Sequence, residues 1–190
     1  MRYLLAAVLV LLTAPAFAAE TYTLDPNHTN IYWKANHFGF SSPSGKFADV
    51  KGTLLLDEAK PEKSKVVVTI NPASIVTGIA KFDEHLKSPD FFNVLKFPEA
   101  SFTSFKVDKT GKDTAKIYGD LTLLGITKRI VLDAKLNKIG DNMFGNHVAG
   151  FSLKGEIKRS DFGMRNYLPG VSDEVSLEIE VEAIRDVAKK

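Results

Sequence analysis

Most of the chain alternates between apolar and polar positions with a period of two, which is the period of a β-strand. The C-terminal run shows it most clearly. Val175, Leu177, Ile179 and Val181 fall on one face, and Ser176, Glu178, Glu180 and Glu182 on the other. Ala115, Ile117, Gly119, Leu121 and Leu123 alternate with Lys116, Tyr118, Asp120 and Thr122; Ile130, Leu132, Ala134 and Leu136 alternate with Val131, Asp133 and Lys135. The same reading predicts strands over 30–36 (Ile31, Trp33, Ala35), 47–57 (Val50, Leu54, Leu56), 65–71 (Val66, Val68, Ile70), 100–108 (Phe102, Phe105) and 147–158 (Phe151, Leu153, Ile157). Turn chemistry over 109–113, 124–127 and 139–142 separates several of them. One buried and one wet face per strand is the signature of antiparallel pairing, whereas a parallel, helix-covered sheet would show continuous apolar runs. About eight strands joined by tight turns predict an all-β chain that closes into an up-and-down antiparallel barrel and so removes its edges.

One stretch departs from period two. Residues 80–88 contain helix formers, with Phe82 and Leu86 four apart on one face. Ser88-Pro89-Asp90-Phe91-Phe92 then predicts a second short turn, with Ser88 as cap and Pro89 at the first helical position. A short helical insertion carrying Phe82, Leu86, Phe91, Phe92 and Phe97 is expected to close one end of the barrel.

The start of the chain adds an address. Met1-Arg2 is followed by an apolar run from Tyr3 to Leu12, a break at Thr13-Ala14-Pro15, and Ala16-Phe17-Ala18. This is the pattern of a secretory signal peptide cleaved near Ala18. The run is shorter than the ~20 residues of a membrane span, so no membrane span is expected, and residues 19–190 are read as one domain. The chain has no Cys, which excludes thiol catalysis, iron–sulfur clusters and thiolate zinc sites. Its 25 Lys and Arg stand against 23 Asp and Glu, with Arg2 in the leader. That balance supplies no general field for nucleic acid or an anionic surface.

The polar residues converge on no chemistry. His28 and His37 are nine apart, so a continuous strand would point them to opposite faces; no His pair has a zinc-binding helical spacing, and no metal site is expected. His28 and His37 read as making structural hydrogen bonds near the first strand, or as pairing with Asp25. Asp161-Phe162-Gly163 matches the metal-binding triplet of protein kinases but lacks the accompanying phosphate loop, lysine and catalytic loop, and Arg159 and Asp161 read as partners at a strand end. Arg165 either meets a ligand head group at a barrel mouth or stands in solvent. No nucleophile elbow and no acid–base pair is present, so no catalytic residue is assigned.

Several blocks together resemble the YceI-like family: Leu24-Asp25-Pro26-Asn27-His28, Trp33, Asn36-His37-Phe38, Gly45-Lys46-Phe47 and Gly52; Phe82 to Phe92 followed by Phe97-Pro98 and Phe102; Gly119-Asp120-Leu121-Thr122 with Leu124-Gly125-Ile126-Thr127; and Arg159 to Gly163. They keep the family's order from Tyr22 to about Ala183. Thr29 stands where Ser is common, and Lys81-Phe82 where Arg often precedes the Asp of the helical block; neither is expected to touch the apolar lining. The resemblance implies a lipocalin-like extended barrel with an elongated apolar pore. It implies a long isoprenoid (a polyprenyl compound or isoprenoid quinone) or similar amphiphile as ligand, in the periplasm of a Gram-negative bacterium, and often a homodimer. No cofactor is required beyond that bound lipid, and the resemblance brings no catalytic residues.

An eight-stranded barrel is either filled by its own side chains or holds one small ligand. Twelve of the thirteen Phe follow Ala18, and several cluster off the strands, which favours a lined tunnel. The lining residues expected are Ile31, Trp33, Leu54, Val68, Phe91, Phe92, Phe102, Leu121, Leu123, Leu132, Phe151 and Leu177. The reading is a non-enzymatic lipid-binding protein for transport, storage or sequestration. Its rivals are an enzyme modifying such a lipid, with His28, His85 or Arg165 as first suspects, and a stress-response interaction protein with a dry core.

Overall fold

The computed structural model describes residues 19–187. The leader assigned to residues 1–18 lies outside the described residues. The described elements run β1 (Glu20–Leu24), β2 (Asn30–His37), β3 (Ser44–Phe47), β4 (Val50–Leu56), β5 (Lys65–Ile70), β6 (Ile75–Val76), α1 (Ala80–Lys87), β7 (Ala100–Lys109), β8 (Thr114–Leu123), β9 (Ile126–Asp141), β10 (His147–Lys158) and β11 (Val171–Arg185).

Eight of the strands form a closed antiparallel ring, β1-β4-β5-β7-β8-β9-β10-β11, which the pairing of β1 with β11 completes. The other three extend this ring. The N-terminal part of β11 pairs with β2 and its C-terminal part with β1, so β1 and β2 act as two halves of one broken strand. β3 and β4, and β5 and β6, are broken in the same way, because β3 pairs with β2 and β6 while β4 pairs with β1 and β5. The breaks at 48–49 and 71–74 lie side by side and are stitched by side chains. Ser74 Oγ accepts from Ala48 N and Asp49 N, and Asn71 Nδ2 donates to Asp49 Oδ2 at 3.1 Å. Eight strand positions around the barrel are what the alternation predicts; the breaks are not visible in it.

The two halves of the barrel differ. β5 pairs with β7, but β6, only two residues long, has no β7 partner. The helix α1 and residues 88–99, which join β6 to β7, pack across this gap, with Leu86 buried against Trp33, Ile75 and Leu177. The helical insertion therefore closes one end, as its apolar face predicts.

Interior size is set partly by glycine. A Cβ on Gly119 would lie 2.2 Å from Phe102 Cζ and 2.8 Å from Thr103 O, so the absent side chain is what admits the buried Phe102 ring. At β8–β9 the reversal uses only Leu124 and Gly125, both at positive φ (54° and 73°), the conformation that matches a two-residue hairpin to strand twist. The turn expected at 139–142 is displaced. Gly140 stays in the ladder opposite Val148, β9 runs on to Asp141, and the chain reverses over 142–146. There Asn142 Oδ1 accepts from Phe144 N and Asn146 N at 2.9 and 3.0 Å. The Asx-type cap at Asn142 overrides the turn signal of Gly140.

Candidate functional site: an apolar cavity open at one end

The barrel interior is not filled. A cavity of about 380 Å³ runs through it, within the range of small-molecule sites of about 300–1,000 Å³. Strand alternation supplies its walls. From β11, Val175, Leu177, Ile179 and Val181 all face it; from β8, Ala115, Ile117, Leu121 and Leu123; from β9, Ile130, Leu132, Ala134 and Leu136. Ile139 also faces in, although it is three residues from Leu136. A bulge in the β9–β10 pairing, opposite Gly150 and Phe151, resets the parity there.

Eleven of the twelve residues expected to line the interior do stand on this wall: Ile31, Trp33, Leu54, Val68, Phe92, Phe102, Leu121, Leu123, Leu132, Phe151 and Leu177. Phe91 does not. The turn after Ser88 sends the neighbouring rings to opposite sides. Phe92 meets Phe47 edge to face at 5.3 Å, while Phe91 stacks on Tyr167 at 5.9 Å and meets the edge of His85 at 5.0 Å. Phe91 thus supports the closure from outside the cavity. The single-residue alternation of a strand finds the other positions; a turn carries no such parity, so Phe91 and Phe92 look alike in sequence.

The two ends of the cavity are chemically unlike. The closed end is formed by Trp33, Phe47, Phe92, Leu177, Met164 and Arg159. Arg159 is 3% exposed and is the one charged residue on this part of the wall. Its guanidinium donates to the carbonyls of Ser172, Met164 and Val171 at 2.8, 3.1 and 3.0 Å, which fixes the segment between β10 and β11. Burial pushes its pKa down, and the Asp173 charge works against that shift. Burial pushes the Asp173 carboxyl up, but hydrogen bonds from Ser160 and the Arg159 charge outweigh it and hold the group below its ordinary range. The expected partnership of Arg159 with Asp161 is therefore corrected: Asp161 is exposed, and the alternation cannot show that the chain folds back to bring Asp173 nearer.

At the other end every exposed wall residue collects: Glu58, Lys65, Lys109, Lys112, Asp113 and Thr114. This is the mouth. Its rim is made by the β4–β5 link and the β7–β8 turn, and sequence patterning gave no sign that these two connections share an end. Tyr22 packs below it, wholly buried; burial, then the Glu58 and Glu20 charges, push its phenol up.

The polar residues expected as alternatives lie elsewhere. His28 sits on the outer surface, its Nδ1 2.6 Å from Asp25 Oδ2 and 3.8 Å from Glu182 Oε2, the second of the two roles expected of it. The hydrogen bond that Nδ1–H donates to Asp25, then the Glu182 and Asp25 charges, hold the imidazole above its ordinary range. His85, on α1, faces Asp90 and Tyr167 outside the closed end. Arg165 is exposed in the segment between β10 and β11, at the closed end rather than at the mouth, so the mouth placement is corrected. None of the three stands on the cavity wall, whereas Thr29, expected off the lining, is corrected: it is buried on the wall in the link between β1 and β2, where strand parity gives no guide.

A broken-strand barrel with a one-ended apolar cavity and a helical plug defines a small-molecule-binding type of β-barrel. The YceI-like domain matches residues 22–183, and the chain belongs to the YceI-like family. It is 44% identical over 181 residues to protein YceI of Salmonella arizonae, covering 94% of each chain. Its structure is similar to the crystal structure of the Campylobacter jejuni YceI protein, with a TM-score of 0.73 and 38% identity, covering 80% of this chain and 90% of that one. It also shares its fold with a polyisoprenoid binding domain from Saccharophagus degradans, at a TM-score of 0.67 and 15% identity, covering 87% and 98% of the two chains.

Proposed function

We propose that this protein is an exported, periplasmic lipid-binding protein. In this reading its leader is cleaved near Ala18, and it holds one long isoprenoid or similar amphiphile for transport, storage or sequestration. The observation that carries the reading is the cavity's polarity profile. Apart from the buried hydroxyls of Thr29 and Ser104, apolar side chains line it from Trp33 to Val107, the one buried charge is committed to backbone carbonyls, and all other charged groups of the wall stand at the mouth. Such a wall selects a ligand with a long uncharged tail and a polar end. The tail is held by removing apolar area from water, at roughly 25 cal/mol per Å², and the head group is left at the rim. Polyprenyl compounds and isoprenoid quinones have this form, and the Saccharophagus domain of the same fold is a polyisoprenoid binder by description. An unfilled interior disfavours the dry-core reading, and the position of His28, His85 and Arg165 off the wall disfavours lipid modification.

Trp33 is the only tryptophan and lies on the wall at the closed end, so it reports on occupancy. Titration of delipidated protein with a long-tailed quinone is expected to quench Trp33 emission saturably at one quinone per chain. A linear, unsaturable response would sink the proposal.

A further inference from the structure

The β9–β10 hairpin overhangs the mouth. Lys135 pairs with Thr114, the last position of β9 that has a β8 neighbour, and Leu136 N bonds Asp113 O at the β7–β8 turn. Beyond this, β9 continues to Asp141 and β10 returns from His147, paired to each other and, on the β10 side, to β11. The inner face of the overhang, through Leu136 and Ile139, is cavity wall. Its tip is Met143-Phe144, 89% and 78% exposed. These two side chains are presented by a well-tied turn. Asn142 N bonds Asn146 O at 2.9 Å, and Asn142 Oδ1 receives both Phe144 N and Asn146 N. Gly145 takes the positive φ (80°) the reversal requires. Phe40 and Leu95 are as exposed, at 90% and 97%, but they stand at the closed end, whereas Met143 and Phe144 are an adjacent pair held out in water beside the mouth of the apolar tunnel.

From this placement we infer that the mouth docks on a lipid bilayer, with Met143 and Phe144 inserted at the interface. The inference rests on the lipid-binding reading above and names its membrane partner. A long tail crossing open water would expose the apolar area that the barrel hides, whereas a mouth seated on a bilayer passes the tail from one apolar phase to the other. Charge at the rim is secondary. Lys65, Lys109 and Lys112 make no ion pair among the described residues, and neither do Glu58 and Asp113. The excess of one lysine favours anionic lipid only slightly, and insertion of the tip is the main attraction.

The test uses the protein without its leader, and the double variant Met143→Ser/Phe144→Ser, in flotation with vesicles of phosphatidylethanolamine and phosphatidylglycerol. The original protein is expected to float with the vesicles and the variant to lose roughly tenfold or more in partitioning. Uptake of a polyprenol by both proteins is measured separately, without vesicles, and is expected to be equal. Transfer of bound polyprenol to vesicles is expected to slow in the variant by a comparable factor. Equal flotation and transfer for the two proteins would overturn the docking inference. So would a change of native mass from dimer to monomer in the variant, which would make the tip a contact between copies. Failure to take up polyprenol while flotation persists would instead count against the lipid-binding reading alone.

Discussion

Val68 lies at mid-depth in the cavity, which makes it the position where a charge is most informative. It packs against three neighbouring groups of the core, around Tyr22 and Leu24, around Ile31 and Val50, and around Phe102 and Leu121. The carboxylates and lysines of the wall are all at the mouth, and an aspartate at this position is too short to reach them. In an empty barrel, wetted through the mouth, the carboxyl of Val68→Asp is expected to titrate near the ordinary Asp value of ~3.9. With a tail bound, water is gone and no partner is present, so desolvation raises the pKa by about 3–5 units. Binding then requires proton uptake. The sign follows from the raised pKa in the bound state: the proton-linked loss of affinity is absent below about pH 4 and grows tenfold per pH unit above it, until the bound-state pKa is passed. At pH 7 the loss amounts to about three units, or ~4 kcal/mol, roughly a thousandfold in Kd. Val68→Asn carries a similar polar burden without the proton, so its loss of affinity is expected to be independent of pH. The assay is quinone quenching of Trp33 from pH 5 to 8, with circular dichroism to establish folding. A folded Val68→Asp protein whose affinity matches that of the original at pH 7, or whose loss does not diminish on acidification, would refute a tail lying against this wall.

Three further outcomes follow from the geometry. Gly119→Ala places a Cβ against Phe102 and the Thr103 carbonyl and is expected to destabilise the fold by about 1–3 kcal/mol in urea titration. Arg159→Met strands three carbonyls in the segment between β10 and β11; it should lower stability by about 3 kcal/mol or more, read from thermal melts. The His28 imidazole is held above its ordinary pKa and the Asp25 carboxyl below its own, each first by the hydrogen bond between them. The His28 contribution is therefore complete below the ordinary His pKa and lost as pH rises through the raised value, while that of Asp25 is lost as pH falls through the lowered one. In an NMR titration, Asp25→Asn should move the His28 pKa back down; an unchanged value would show that the pair is not coupled.

The strands were legible because each has one wet face. On β8, β9 and β11 the alternation names the inward residues one by one, and where the parity is unbroken these become cavity wall, except Gly119, which the Phe102 ring covers. Legibility fails where the backbone leaves period two. The β9 bulge brings in Ile139 out of phase, and the paired breaks at 48–49 and 71–74 depend on Ser74 and Asn71 side chains meeting Ala48 and Asp49. The adjacent rings of Phe91 and Phe92 are separated only by the turn that carries them. Long-range closure was the other limit. No local pattern links Glu58 with Lys112 at one mouth, and none tells Arg159 to find carbonyls at 164, 171 and 172 rather than the nearby Asp161. β1, five residues with only Tyr22 and Leu24 inward, is too short to announce itself, yet it closes the barrel.

The most direct test is organic extraction and mass spectrometry of the protein lacking residues 1–18, purified without detergent, alongside its native mass. An isoprenoid lipid or quinone is expected at about one per chain, with the native mass raised by the mass of that lipid. Protein that comes out empty, and takes up neither added polyprenol nor long-tailed quinone, would contradict the lipid-binding reading.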